Sequence, residues 1–281
     1  MTALHLNIEL ARRIELAEAQ AAVAGAETMK RLRPDRGAAV EPIAGGFAIY
    51  CGANSPTTQA VGMGLDGPVS EEEFALLENF YRSRAEPVRV ETCPLADASL
   101  IGHFGKRGYR VTEFSNVMAL PLGGSQDSQN QSEPRHGLAI ERVDRGEIDL
   151  WTLTVSQGFA EKGPVIPEIV EVMKMFALSP GVECYLARVD GKVAGGGTLA
   201  IRDGVAGLFG ASTLPGFRKH GVQSALLHAR LVRAAEAGCD LAVCLAQPAS
   251  TSQRNIVRRG FAVLYTRVKF EKELELGTTA K

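Results

Sequence analysis

The sequence predicts an α/β (α+β) protein of two tandem units, and three features carry that expectation. Short apolar or β-branched runs alternate with stretches of helical periodicity along the whole chain. Residues 123–137 hold no large apolar side chain, so they cannot bury enough surface to offset their ordering entropy. They read as a polar linker between a unit at 1–122 and a unit at 138–281. On each side of it the same order recurs: strand, helix, strand, short helix, an Arg-Gly-aromatic triplet and a closing strand. The triplets are Arg107-Gly108-Tyr109 and Arg259-Gly260-Phe261.

In the first half, Leu6, Leu10, Ile14, Ala17 and Ala21 recur at helical spacing and open the chain with an amphipathic helix that must end before Pro34. Strand-like runs follow at about residues 46–51 and 59–65. Ser70 and Glu73 then form a capping-box signature ahead of the apolar stripe Phe74, Leu77 and Tyr81. Residues 88–92 read as a strand, 97–106 as a short helix and 109–120 as the closing strand.

The second half opens with a strand at 138–143, helices near 150–158 and 166–177, and the strands 182–188 and 192–201. Asp190-Gly191 between those strands is a hairpin signal, and Asp203-Gly204 leads into a further strand at 205–213. Next comes Pro215-Gly-Phe-Arg-Lys-His-Gly221, which opens a helix running to about Ala237, with Gly238 as its left-handed stop. A basic, glycine-containing turn at a helix start aims unpaired backbone N–H groups at one point, where the helix dipole adds positive potential. That combination suits a phosphate. An apolar stripe at Val222, Ala225, Leu226, Ala229 and Val232 is expected to hold the helix down.

The run Arg218-x-x-Gly221-x-Gln223-x-Ala225-Leu226-Leu227 resembles the acetyl-CoA pyrophosphate loop of the GNAT superfamily of N-acetyltransferases, Gln/Arg-x-x-Gly-x-Gly/Ala. Gln223 departs from that pattern, placing a side chain beside the phosphates while keeping its backbone N–H as a donor. Residues 248–255 followed by Arg259-Gly-Phe261 resemble the segment that closes the coenzyme cleft in the same superfamily. The resemblance covers about 138–274. It implies that each unit is a central, mixed and mostly antiparallel sheet flanked by helices, with acetyl-CoA as co-substrate. It also implies that main-chain groups of Thr213 and Leu214 hold the pantetheine arm, and that Arg218 and the N–H groups of Lys219, His220, Gly221, Val222, Gln223 and Ser224 hold the pyrophosphate. Ser252 and Asn255 would close on the coenzyme from the far wall, local capping of a short helix being the other reading of those two residues.

At the place equivalent to the loop, the first half carries Gly67-Pro-Val-Ser-Glu-Glu-Glu73. Pro68 has no N–H, and three carboxylates stand where a pyrophosphate would sit. The first unit is therefore expected to be a degenerate, non-catalytic copy, with one coenzyme bound per chain.

The reactive groups are less legible. The family's glutamate on the strand before the loop has no counterpart in residues 205–212, and Ile256 stands where a tyrosine is common, so Tyr265 is the nearest expected proton donor. Glu161 and Glu183 are further acids that could act as base. Direct acetylation of a primary amine on a small molecule or amino acid is the function this implies. A coenzyme-A-binding sensor without turnover is the alternative, and residues 159–164 are the expected acceptor loop.

Composition bounds these readings. A chain of 281 residues exceeds what one domain of about 150 needs. A formal charge of −1 with 22% charged residues offers no concentrated positive field for nucleic acid or an anionic membrane. No basic leader or long apolar run is present, so a cytoplasmic protein is expected, with oligomer formation left open. The five cysteines form no Cys-x-x-Cys pair and read as buried reduced thiols, with no metal site; no histidine lies near Cys244 in sequence to activate it.

Overall fold

The computed structural model describes residues 4–123, 137–160 and 163–273. The expected linker lies almost wholly outside them, as does Glu161. The first half runs α1 (Ile8–Leu32), β1 (Ala39–Ile43), β2 (Gly46–Tyr50), β3 (Gln59–Val61), α2 (Glu71–Arg82), β4 (Val88–Thr92), α3 (Ala98–Arg107) and β5 (Arg110–Pro121). The second runs β6 (Leu138–Arg142), α4 (Ile148–Ala160), α5 (Pro167–Ala177), β7 (Val182–Val189), β8 (Lys192–Arg202), β9 (Val205–Thr213), α6 (Val222–Glu236), β10 (Leu241–Ala246), α7 (Thr251–Val257) and β11 (Ala262–Lys272). The α/β class and the repeated order hold.

The two compact units are not contiguous in sequence. Among the described residues, one comprises Leu6–Ser115 together with 265–273, and the other Asn116–Leu264 together with 4–5. Both β5 and β11 begin in one unit and end in the other, which differs from a division at a linker.

In the first unit β1, β2 and β3 form an antiparallel meander, and β3 meets β4 in parallel at Ala60 and Val90. The last part of β11 then pairs antiparallel with β4 from Val268–Thr92 to Lys272–Val88. Phe74, Leu77, Tyr81, Val90, Leu100 and Phe104 fill the core beneath α2 and α3. What ties β11 here is charge. Arg267, 2% exposed, donates from Nε to Glu15 at 2.8 Å and from Nη1 to Glu18 at 2.7 Å, and Glu91 lies 3.5 Å away. Lys269 reaches Glu113 at 3.0 Å, and Arg89 reaches Glu271 at 2.7 Å. Glu15 lies on the buried stripe of α1, so a charged residue occupies a position that helical spacing alone assigns to apolar side chains.

In the second unit β6, β7, β8 and β9 are antiparallel, β9 and β10 parallel, and β10 antiparallel to the end of β5. Both expected Asp-Gly turns are present with left-handed backbone at each residue: Asp190 and Gly191 at φ 48° and 76°, Asp203 and Gly204 at 45° and 74°. This is the turn whose twist matches that of the flanking strands. The buried stripe of α6 is Val222, Leu226, Arg230 and Ala234, with Leu227, whereas Val232 is exposed. The expected stripe is shifted because Arg230, charged and therefore unread as core, sits in the middle of the real one.

Candidate functional site

The site is built where β9 and β10 part. Their parallel pairing ends at Leu208 and Cys244, although β9 continues to Thr213 and β10 to Ala246. Beyond Leu208 the β10-facing edge of β9 carries main-chain groups that β10 does not use. A register shift opposite Gly196–Thr198, with Gly210 in left-handed backbone at φ 57°, marks a bulge at the same place. Three glycines on β8 let the neighbours close in. A Cβ at Gly195 would meet Ser212 O at 2.5 Å, one at Gly196 would meet Val155 and Trp151 of α4, and one at Gly197 would meet the Arg230 guanidinium at 3.0 Å.

Arg230 fixes α6 to the sheet. Its Nη1 donates to Thr198 O at 2.9 Å and its Nε to Leu226 O at 3.0 Å, and burial pulls its pKa down to about 10. The residue is missed by sequence reasoning, yet the run Gly195-Gly196-Gly197 signals that something approaches β8 closely from both faces.

At the end of β9 the chain makes a 3-10 turn at Pro215–Phe217, and Arg218 is extended. Lys219 then takes left-handed backbone at φ 69°, unusual for a residue with a side chain, and Gly221 follows at φ 84° as the N-cap of α6. No side chain caps this helix. The N–H groups of Val222, Gln223 and Ser224 therefore stand at the helix start with no carbonyl one turn below them. Alternating left-handed residues before a helix form a concave nest of N–H groups, to which the helix dipole adds. Arg218, Lys219 and His220 are exposed around it, and the His220 ring bonds Arg218 O at 3.0 Å.

Asn255, on α7, donates from Nδ2 to Gln223 Oε1 at 2.8 Å, a bond between residues far apart in sequence. The Gln223 side chain is thereby drawn toward α7. Ser250, not Ser252, caps α7 through a 3.1 Å bond from Gln253 N–H, and Ser252 is exposed on its first turn. Thr213 ends β9, and Leu214 spends its N–H on Ala194 O and its carbonyl on Phe217 N–H, both at 2.9 Å.

The proton-transfer candidates have partners of their own. Tyr265 falls in the first unit, buried, with its hydroxyl donating to Glu15 at 2.7 Å; burial and the Glu15 charge raise its pKa. Glu183 on β7 is gripped by Arg233 at 2.9 Å and Tyr185 at 2.8 Å, and although burial opposes it, those partners lower its pKa. The five cysteines are buried and free, and burial pushes the Cys184 and Cys244 thiols to about 12, far from nucleophilic thiolates. Among the described residues no three His, Cys, Asp or Glu side chains could share a metal ion, and no helix is long and apolar enough to cross a membrane.

The equivalent place in the first unit is closed. Ser70 and Glu73 form the full capping box, Glu73 N–H to Ser70 Oγ at 3.2 Å and Ser70 N–H to Glu73 Oε2 at 2.8 Å. Glu71 pairs with Arg107 and lies near Lys106 and His103, all from α3. After β3 the chain is stitched to the start of α3: Asp97 N–H donates to Gly64 O at 2.7 Å, Val69 N–H to Ser99 Oγ at 2.8 Å, and His103 Nε2 bonds Val69 O at 2.8 Å. Met63, Leu65 and Val69 are buried in that stitched segment.

Residues 149–261 match the acetyltransferase (GNAT) family model. No curated protein sequence matches the chain. Among solved structures, a GCN5-related N-acetyltransferase from Kribbella flavida is similar over 93% of this chain and 95% of its own, with a TM-score of 0.66 at 16% identity. A tandem GNAT protein from the clavulanic acid biosynthesis pathway is similar over 81% of this chain and 78% of its own, with a TM-score of 0.59 at 12% identity. These likenesses are of fold. Residues 149–261 belong to the acetyltransferase (GNAT) family, in a chain whose two units repeat one fold.

Proposed function

We infer that the protein transfers the acetyl group of acetyl-CoA to the primary amine of a small molecule or amino acid. The observation that carries this is the uncapped start of α6, with Lys219 and Gly221 in left-handed backbone, directly after the strand whose open edge begins at the β9–β10 parting. Family membership gives acyl transfer from an acyl-CoA; the choice of acetyl and of a small amine is our reading. The nest takes the pyrophosphate, with Arg218 and Lys219 adding charge. The β9 edge past Leu208 takes the pantetheine arm through main-chain hydrogen bonds, as an added strand would be taken. Thr213 and its neighbours serve there, while the Leu214 N–H is already spent. Holding the thioester on a rigid strand beside the amine supplies most of what direct attack needs, since the gain is orientation. The buried free thiols suit a reducing compartment such as the cytoplasm.

One observation favours a second reading, a coenzyme-A-binding sensor. Ile256 is buried where a tyrosine would donate a proton, and Tyr265 is committed to Glu15. Thiol release from acetyl-CoA with a panel of small amines and amino acids decides between the two. Release with at least one acceptor supports the transferase, and tight coenzyme binding with no release for any acceptor supports the sensor.

A further inference from the structure

Gln223 is the residue at which this loop departs from the Gly/Ala of the pattern it resembles, and its environment gives the departure a use. It occupies the second position of α6, half-buried, beside the backbone N–H groups of Val222 and Ser224. Its Oε1 accepts from Asn255 Nδ2 at 2.8 Å. In this arrangement the carboxamide oxygen faces α7, and both Nε2 hydrogens remain as donors with no hydrogen-bond partner among the described residues. Asn255 is itself well placed to hold this orientation. The start of α7 is fixed by Ser250 capping Gln253, by Gln253 Oε1 accepting from Ala249 N–H at 2.6 Å, and by Ala249 in left-handed backbone at φ 59°. Rotamer freedom is thus removed before any ligand arrives, which lowers the cost of a side-chain contact.

We propose that Gln223, oriented by Asn255, donates its side-chain amide hydrogens to the coenzyme pyrophosphate, so that Gln223 is a binding residue and Asn255 its positioning residue. This rests on the reading of the α6 start as the coenzyme site. The substitution of a bulky polar residue for a small one is then a gain of donors to an anion, and not an obstruction. Charge-assisted hydrogen bonds of this kind are among the stronger ones.

The test is calorimetric titration of the full chain with coenzyme A, and in parallel with pantetheine, which lacks the pyrophosphate. Gln223→Ala, which restores the usual small residue, should weaken coenzyme A binding about tenfold and leave pantetheine unchanged. Gln223→Glu keeps the acceptor for Asn255 but removes both donors, and should weaken coenzyme A binding more than the alanine does. Asn255→Ala should lose several-fold in the wild-type background and nothing further when Gln223 is already alanine. Thermal melting of each variant separates unfolding from a binding loss. Gln223→Ala binding coenzyme A as tightly as the wild type, or tighter, overturns the proposal, and so does an unimpaired Gln223→Glu. A wild-type chain that binds no coenzyme A removes the underlying reading of the site instead.

Discussion

Two helix starts at the same place in a repeated unit have opposite fates. At α2 the Glu73 N–H is taken by the Ser70 hydroxyl and the Ser70 N–H by the Glu73 carboxylate, and Glu71 is held by Arg107 from α3. At α6 the cap is a glycine with no side chain, and the surrounding charge is basic. The segment before α2 is stitched to α3 by two main-chain donors and a histidine, whereas α6 and α7 meet through the Gln223 and Asn255 amides. A helix start is a general anion receptor, and a few neighbouring side chains decide whether it is satisfied from within or left for a ligand. The structure also refines the electrostatic argument. Carboxylates at α2 do not stand alone, because α3 supplies cations. Two of the donors at this helix start, the N–H groups of Ser70 and Glu73, are already occupied from within.

The strongest way to separate the two units is to break what only one of them owns. Arg267→Met leaves Glu15 buried beside Glu18 without its guanidinium, and should cost the first unit about 3–5 kcal/mol. Hydrogen exchange should rise across 6–115; protection unchanged there would show that the buried ion network holds nothing. Next in size is the open start itself. Gly221→Val forces a β-branched residue to φ 84°, and Arg218→Glu reverses a charge at the nest. Each should weaken coenzyme A binding by about 1–3 kcal/mol in calorimetry. Affinity unmoved by both would detach the loop from coenzyme binding.

Smaller effects test the closed start. Ser70→Ala removes the cap of α2 and should cost about 0.5–2 kcal/mol of stability by denaturant titration. Coenzyme stoichiometry should stay at one per chain in this variant and in the wild type. Two equivalent sites in either would erase the contrast between the helices. The mildest effect is one of pH. Hydrogen bonds from Arg107 hold the Glu71 carboxyl below its usual 4.5, and those from Ser70 do the same for Glu73. A lowered folded value means their contribution is complete above 4.5 and is lost as pH falls through the folded values. Melting of wild type and Glu73→Gln should draw together as pH falls below 4.5 and through the folded value, and curves that stay parallel throughout the acid range would deny the linkage.

Local features were legible in the sequence to the extent that neighbours in the chain determine them. The capping box at Ser70, both Asp-Gly turns and the Gly221 helix start follow from side-chain reach and backbone freedom within a few residues. β1 escapes notice because Pro42 interrupts it, tolerable only on a strand at the sheet's edge. β3 ends at Val61, short of the apolar run, since Gly62 and Gly64 are left-handed. The roles of Tyr265, Glu15 and Arg267 were hidden for a different reason: their partners lie some 250 residues away, and no periodicity records a partner's identity. Asn255 illustrates the middle case. Its place on a short helix ahead of Arg259-Gly-Phe261 is readable from the motif, but its bond to Gln223 depends on how α6 and α7 are set by the sheet.

The division of β11 has a consequence for how the chain is made. Synthesis proceeds from the amino terminus, so Leu6–Ser115 leaves the ribosome long before Val268–Lys272 exists to cover β4 and before Arg267 exists to neutralise Glu15. Asn116–Leu264, by contrast, is complete as soon as Leu264 has emerged. The part translated first is thus the part that finishes folding last. Until residues 267–272 have emerged, Glu15 lacks the Arg267 counter-charge and β4 keeps an exposed strand edge, the state in which a nascent chain is most exposed to mispairing.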